Sequence, residues 1–198
     1  RSPDLDPTNK VNPEGTWNGP AQRITTLGTR WKSKPDKLAG WDYTFEAAYQ
    51  FGEVWVTDRN SPSLDQNAFA IHLDGGYTWR DVTWKPRLGL DFDYSSGDKN
   101  PKDGNSQSFQ NLFPSNHDKF GLMDEFAWRN LNNVQLRLGA KPAKTVEVEL
   151  AYHLHWLART TDYWYRGIGT SVLRLKTPDG TDVRTVGASN FAGQEISF

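Results

Sequence analysis

An all-β fold built as an antiparallel up-and-down meander is predicted by three features of this chain. Short segments alternate apolar and polar residues, short and long connections follow one another, and aromatic residues gather at both ends of the segments. Trp41–Gly52 shows the alternation best. Trp41, Tyr43, Phe45, Ala47, Tyr49 and Phe51 share one parity, while Asp42, Thr44, Glu46, Ala48, Gln50 and Gly52 share the other. A period of two gives a strand with two unlike faces. Here the apolar face is aromatic and the polar face is charged, which suits a membrane-spanning β-barrel as well as a soluble sandwich.

The other segments follow in order. Residues 1–22 are polar, carry Pro3, Pro7 and Pro13, and are expected to form a loop; hairpins are expected over 23–158. In Thr25–Lys32, Leu27, Thr29 and Trp31 oppose Thr26, Gly28, Arg30 and Lys32. In Ala68–Trp79, Phe69, Ile71, Leu73, Tyr77 and Trp79 oppose His72, Asp74 and Thr78. Trp84–Ser95 sets Trp84, Pro86, Leu88, Leu90, Phe92 and Tyr94 against Lys85, Arg87, Asp91 and Asp93. Val134–Pro142 sets Leu136, Leu138 and Ala140 against Gln135, Arg137 and Lys141. In Val146–Ala158, Val148, Leu150, Tyr152, Leu154 and Trp156 oppose Glu147, Glu149, His153 and His155. Phe120–Asn133 keeps the apolar parity of the strand after it through Leu122, Phe126 and Trp128, and is expected to extend that strand. Each segment approaches the roughly 9–11 residues a tilted strand needs to cross hydrocarbon.

Ser33–Lys37, Arg80–Thr83 and Pro142–Thr145 are short connections; Val56–Asn67 is longer, and Ser96–Lys119 and Arg159–Ala192 are long. Short turns at one end and long loops at the other describe a barrel with periplasmic turns and external loops. Trp31, Trp41, Tyr77, Trp79 and Trp84 flank the short turns. Leu88, Leu90, Leu136, Leu138, Val148 and Leu150 fall in the middle. Tyr49, Phe51, Phe69, Phe92, Tyr94, Tyr152 and Trp156 lie toward the long loops. Aliphatic residues between two aromatic belts are the pattern of a lipid-facing surface.

Composition sets bounds. The 198 residues suffice for one domain with a core, and no apolar run approaches the ~18 residues of a membrane helix. The mean hydropathy of -0.75 does not exclude a barrel, since only alternate residues need face lipid. A net charge of -1 gives no reason to expect nucleic acid as a partner, and zero cysteines exclude disulfides and thiolate chemistry. The chain opens at Arg1 without a signal sequence, and a strand is expected to begin over 192–198, so a mature or excised part of something longer is expected.

Ser95-Ser96-Gly97-Asp98, then Asp103-Gly104, Phe109, Leu112-Phe113-Pro114, His117, Gly121 and Asp124, carry a family resemblance. With Tyr77, Trp84-Lys85-Pro86-Arg87 and Lys141-Pro142, they make the chain similar to the alginate export family of outer-membrane porins. The resemblance runs from about Thr26 to the C-terminus, and Gly193-Gln194-Glu195-Ile196 resembles the start of a further family strand. It implies an incomplete segment of a large barrel of about eighteen strands, a cell outer membrane location and passive export of an anionic polysaccharide. Outer-membrane lipid, an anionic polysaccharide and periplasmic export components are the implied partners, with no cofactor and no catalysis.

The expected channel lining is the charged parity: Arg30, Lys32, Lys85, Arg87, Arg137 and Lys141 as cations, with Glu46, Asp91, Asp93, Glu149 and His153 among them. Arg87 and Arg137 are expected as mid-wall cations, Lys85 and Lys141 near the periplasmic mouth. Asp42, Asp74 and Glu147 share this face. Salt-bridge ladders that only hold the wall are the competing reading, and the acidic count is at least as large as the basic one. His153 and His155 could form a two-histidine metal site, although lumen lining fits better. Asp98–Gly104 resembles a calcium loop but departs from the EF-hand spacing by one residue and lacks a terminal Glu, so a turn-rich loop is expected. Phe109–His117 is a candidate gate. A soluble β-sandwich that binds or cleaves polysaccharide is the alternative function, and a closed eight-stranded barrel the alternative architecture. No nucleotide loop, GxSxG or HExxH is present.

Overall fold

The computed structural model describes residues 22–55, 62–112, 119–167 and 189–198. Among these residues eight strands form one sheet: β1 (Gln22–Lys32), β2 (Trp41–Trp55), β3 (Ser63–Thr78), β4 (Arg87–Ser95), β5 (Asn105–Ser106), β6 (Leu131–Ala143), β7 (Val146–Leu157) and β8 (Phe191–Ser197). All but β5 pair in chain order as an antiparallel meander, β1-β2-β3-β4-β6-β7-β8, and the sheet does not close on itself. The all-β meander and the unclosed segment match the expectation. Among the described residues no helix is long and apolar enough to cross a membrane, which does not bear on strands.

The faces sort as the alternation requires. Leu27, Trp31, Trp41, Tyr43, Leu73, Leu88, Leu90, Leu136, Leu138 and Val148 are all exposed on the outer face. Exposed large apolar side chains on this scale are the mark of an interaction surface, with protein or with membrane. Aromatic pairs knit its ends, with Trp41 against Tyr77 at 5.0 Å and Phe69 against Tyr94 at 5.1 Å between ring centroids. Such cross-strand pairs hold register as well as surface.

Three segments differ from expectation: Ser63–Asn67, expected within the Val56–Asn67 connection, already belongs to β3. Trp84, Lys85 and Pro86 belong to the turn and not to β4, because Trp84 and Lys85 take positive φ of 68° and 44°. Left-handed backbone cannot continue a strand. Phe120–Asn130 does not extend β6 either. It runs irregularly, with positive φ at Gly121, Asp124 and Asn130, and buries Phe120 and Phe126 against Leu131. Residues 1–21, 56–61, 113–118 and 168–188, including the expected N-terminal loop, parts of both long connections and the Phe113–His117 part of the candidate gate, lie outside the described residues.

Candidate channel wall and inner cap

The registers place the inner-face residues in rows across the sheet. Nearest the turns stand Thr78, Arg87, Gly139 and Glu149, and the first row above them reads Asp42, Gly76, Gly89, Arg137 and Ala151. The next reads Thr44, Asp74, Asp91, Gln135, His153 and Glu195, and the third Glu46, His72, Asp93, Asn133 and His155. Above them come small residues, Ala48, Ala70 and Ser95. The side chains of each row are therefore cross-strand neighbours, and their chemistry follows from that adjacency.

In the lower rows the two mid-wall arginines are both paired with carboxylates. Arg87 donates from Nε and Nη2 to Asp42 at 3.0 and 2.5 Å and from Nη2 to Asp74 at 3.1 Å. Arg137 donates from Nη2 to Asp74 and Asp91, both at 2.8 Å. Asp42, Arg87, Asp74, Arg137 and Asp91 thus form one chain of ion pairs in which three carboxylates hold two guanidiniums. The fork of Arg87 suits this bidentate role. Gly76 and Gly89 make it possible: a Cβ on either would stand 2.3 Å from a guanidinium nitrogen of Arg87. The arginine lies flat along the wall because both neighbours lack a side chain.

The third row is polar and, apart from Glu46, buried. Asp93 is 3% exposed, contacts His72 Nδ1 at 2.7 Å and accepts from Asn133 Nδ2 at 3.0 Å. His155 is fully buried, with neither ring nitrogen hydrogen-bonded, and stacks on Phe126 at 3.9 Å between centroids. The column continues from His153 through His155 and Phe126 to Trp164. Among the described residues no group of three or more His, Cys, Asp or Glu is arranged to hold a metal ion.

The long loop after β4 turns inward and lies on the wall. Gln50 donates from Nε2 to the Gln110 carbonyl at 2.8 Å and accepts from the Gln110 N–H at 2.7 Å. Gln66 Nε2 donates to the Ser108 carbonyl at 3.0 Å, and Phe109 packs on Ala68 and Ala70. Beyond the end of β4, β5 takes over part of the β3 edge in parallel pairing at Asp65 and Gln66. The small side chains of the upper rows leave the room for this. Within the loop, Asp98, Asn100 and Asp103 each accept from the N–H two residues on, the turn chemistry of such residues.

Two buried hubs bind this loop to the segments after Phe120 and Ala158. Asp162 accepts from the Asp98 N–H at 2.9 Å, the Tyr165 hydroxyl at 2.9 Å and the Ser108 hydroxyl. Burial, with the Asp162 carboxylate alongside, pushes the Tyr165 hydroxyl well above its ordinary range, so it remains a donor. Asn130 donates to the Arg159 and Tyr163 carbonyls, both at 2.9 Å, and accepts from the Arg159 N–H at 2.8 Å. Arg129 donates to Gln110 and stands 3.9 Å over the Tyr165 ring. The three segments form one inner cap.

The remaining expected residues sit apart. Arg30 pairs with Glu46 at 3.4 Å and Lys141 with Glu147 at 3.1 Å, all substantially exposed. Lys32 and Glu149 are exposed at the turn-side part of the inner face, and Lys85 is exposed in its turn. Between β1–β4 and the cap a recess of about 380 Å³ is lined by Arg30, His72, Asp93, Phe109, Lys119 and Trp128, among others. Sequence reading missed this recess, because Trp128 keeps the parity of the strand after it and reaches the recess only through the irregular course of the segment before β6.

A family model described as Alginate export matches residues 15–198. No curated protein sequence matches the chain.

Proposed function

From the membership of this chain in the alginate export family, a family of transport porins and not of enzymes, we propose that it forms part of an outer-membrane wall for passive, charge-selective passage of an anionic polysaccharide or related acidic solute. The observation that carries the reading is the pairing of an exposed apolar outer face with an inner face of charged and hydrogen-bonding residues on the same strands. Outer-membrane lipid covers the first and water the second. Periplasmic export components would deliver the solute at the turn side.

Arg87 and Arg137 serve cohesion in this reading, since three aspartates already neutralise them. Selectivity falls to the exposed inner charges, with Arg30 and Lys32 on β1 as the cations and Glu46 and Glu149 as balancing acids. Pore lining of this kind selects by the charge a solute meets when it gives up water. In planar bilayers the full-length protein should conduct, and a polyuronate added on one side should interrupt the current. Arg30→Glu with Lys32→Glu should shift small-ion selectivity toward cations and weaken the interruptions. A protein that inserts but neither conducts nor responds to the polymer would sink the proposal.

A further inference from the structure

The three short turns repeat one charge pattern. Residues 33–40 carry Lys34, Asp36 and Lys37, residues 79–86 carry Arg80, Asp81 and Lys85, and residues 141–147 carry Lys141, Lys144 and Glu147. Two cations to one acid in each turn give the turns together +3, in a chain whose net charge is -1. All of these side chains are exposed. Lys141 pairs with Glu147 at 3.1 Å, an exposed contact that contributes little. The other five cations form no ion pair among the described residues.

The turns are joined edge to edge. The Thr78 N–H donates to the Gly40 carbonyl at 2.9 Å and the Lys141 N–H to the Trp84 carbonyl at 2.7 Å, so the cations form one band along the end of the sheet. The outer face beside that band is aromatic. Trp31, Trp41, Trp79 and Trp84 are exposed, and rings run from Trp41 through Tyr77 to Trp79 with centroids 5.0 and 5.1 Å apart. Farther from the turns the exposed outer residues are aliphatic, Leu88, Leu90, Leu136 and Leu138. Aliphatic, aromatic and then cationic surface, in that order, follows one leaflet of a bilayer from tails to anionic headgroups. Tails meet the leucines, rings sit at headgroup level, and ammonium and guanidinium groups on flexible stems reach the phosphates. An acidic solute or protein in water would answer the cations but leave the adjoining ring belt without a purpose.

We propose that the rim of short turns docks anionic phospholipid, of the phosphatidylglycerol type with one net negative charge, in preference to zwitterionic lipid. The inference rests on the proposed membrane wall. It adds the charge class of the lipid and the end of the wall that selects it.

The test reconstitutes the full-length protein in phosphatidylcholine vesicles that contain a fraction of brominated phosphatidylglycerol, or the same fraction of brominated phosphatidylcholine. Quenching of tryptophan fluorescence then reads which lipid the belt gathers. Phosphatidylglycerol should be preferred by about fivefold at low salt. The preference should fade at about 1 M salt, where charges are screened beyond about 3 Å. Lys34→Gln, Lys37→Gln, Arg80→Gln and Lys144→Gln combined should abolish most of it. Lys99→Gln with Lys102→Gln, exposed cations of the loop after β4, should leave it unchanged. Equal quenching by the two lipids overturns the proposal, as does an unchanged preference in a four-site variant that keeps its heat-modifiable gel mobility. Loss of the preference in the Lys99 and Lys102 variant also overturns it, since the selecting end would then be the loop end. Current interruption by a polyuronate separates the two ideas: if the wild-type channel conducts and is interrupted but gathers both lipids equally, the lipid assignment fails and the channel reading stands.

Discussion

At the scale of single residues, Gly75 and Gly76 make a matched pair. They are adjacent in β3 but face opposite sides of the sheet. A Cβ at Gly75 would meet nothing closer than 3.9 Å, whereas one at Gly76 would stand 2.3 Å from the guanidinium of Arg87. Gly76→Ala must therefore push Arg87 off the wall and away from Asp42 and Asp74. Displacing one member of a partly buried ion network leaves its partners uncompensated, which costs on the order of 1–3 kcal/mol. Gly75→Ala should be close to neutral. Thermal unfolding of the folded protein in detergent, followed by loss of heat-modifiable mobility, compares the two. Equal behaviour would mean that Arg87 does not lie where the wall places it. The sequence exposed Arg87 and Asp74 as inner-face residues through parity alone. It could not show that the arginine is spent on aspartates, because ion-pair partners 45 residues apart, such as Arg87 and Asp42, leave no local pattern.

At the scale of elements, strands and loops differ in how much the sequence exposes. The strands repeat every two residues, so Trp41–Gly52 and Val146–Ala158 announce their faces without knowledge of their neighbours. The inner cap has no period. Its contacts join Gln50 to Gln110 and Asp98 to Asp162, separations of 60 and 64 residues, through residue types common in any loop. The apolar parity of Leu122, Phe126 and Trp128 misled for the same reason: Phe126 is apolar because it stacks on His155, not because it faces lipid. Asp162 should be the residue on which the cap depends. Asp162→Ala removes the acceptor for Ser108, Tyr165 and the Asp98 N–H at once. Each bond to a buried carboxylate contributes on the order of 1.5–3 kcal/mol, so amide exchange over 96–112 should quicken by about tenfold or more. Asp103→Ala, at an exposed turn where the side chain accepts from the Asn105 N–H, is the control and should leave exchange elsewhere in the loop unchanged. Exchange that stays slow in Asp162→Ala would show that packing of Phe109, and not the hydrogen-bonded hub, retains the loop.

At the scale of the whole molecule, one property of the outer face decides between a membrane wall and a water-soluble sheet. Leu90 and Leu138 are 58% and 50% exposed in the middle of that face, on the paired strands β4 and β6. In a soluble sandwich, arginine at a half-exposed leucine position is a surface substitution, with an effect within about 0.5 kcal/mol. In a lipid-facing wall the same change puts a cation near the bilayer midplane, at a cost of about 2–4 kcal/mol. The cost should fade toward the aromatic belts, where Tyr49 and Trp84 stand nearer to water. Leu138→Arg should therefore sharply lower the fraction of full-length protein that folds into lipid vesicles, with Leu90→Arg behaving alike. Tyr49→Arg, toward the loop end, should have a much smaller effect. Folding yields in vesicles read by gel mobility give the comparison directly. If all three variants fold as well as the wild type, the outer face does not meet lipid, and the alternation in Trp41–Gly52 describes a sheet in water. A steep dependence on depth would instead identify the apolar parity as the membrane surface, and the opposite parity, from Asp42 to Gln50, as the wall of a watery passage.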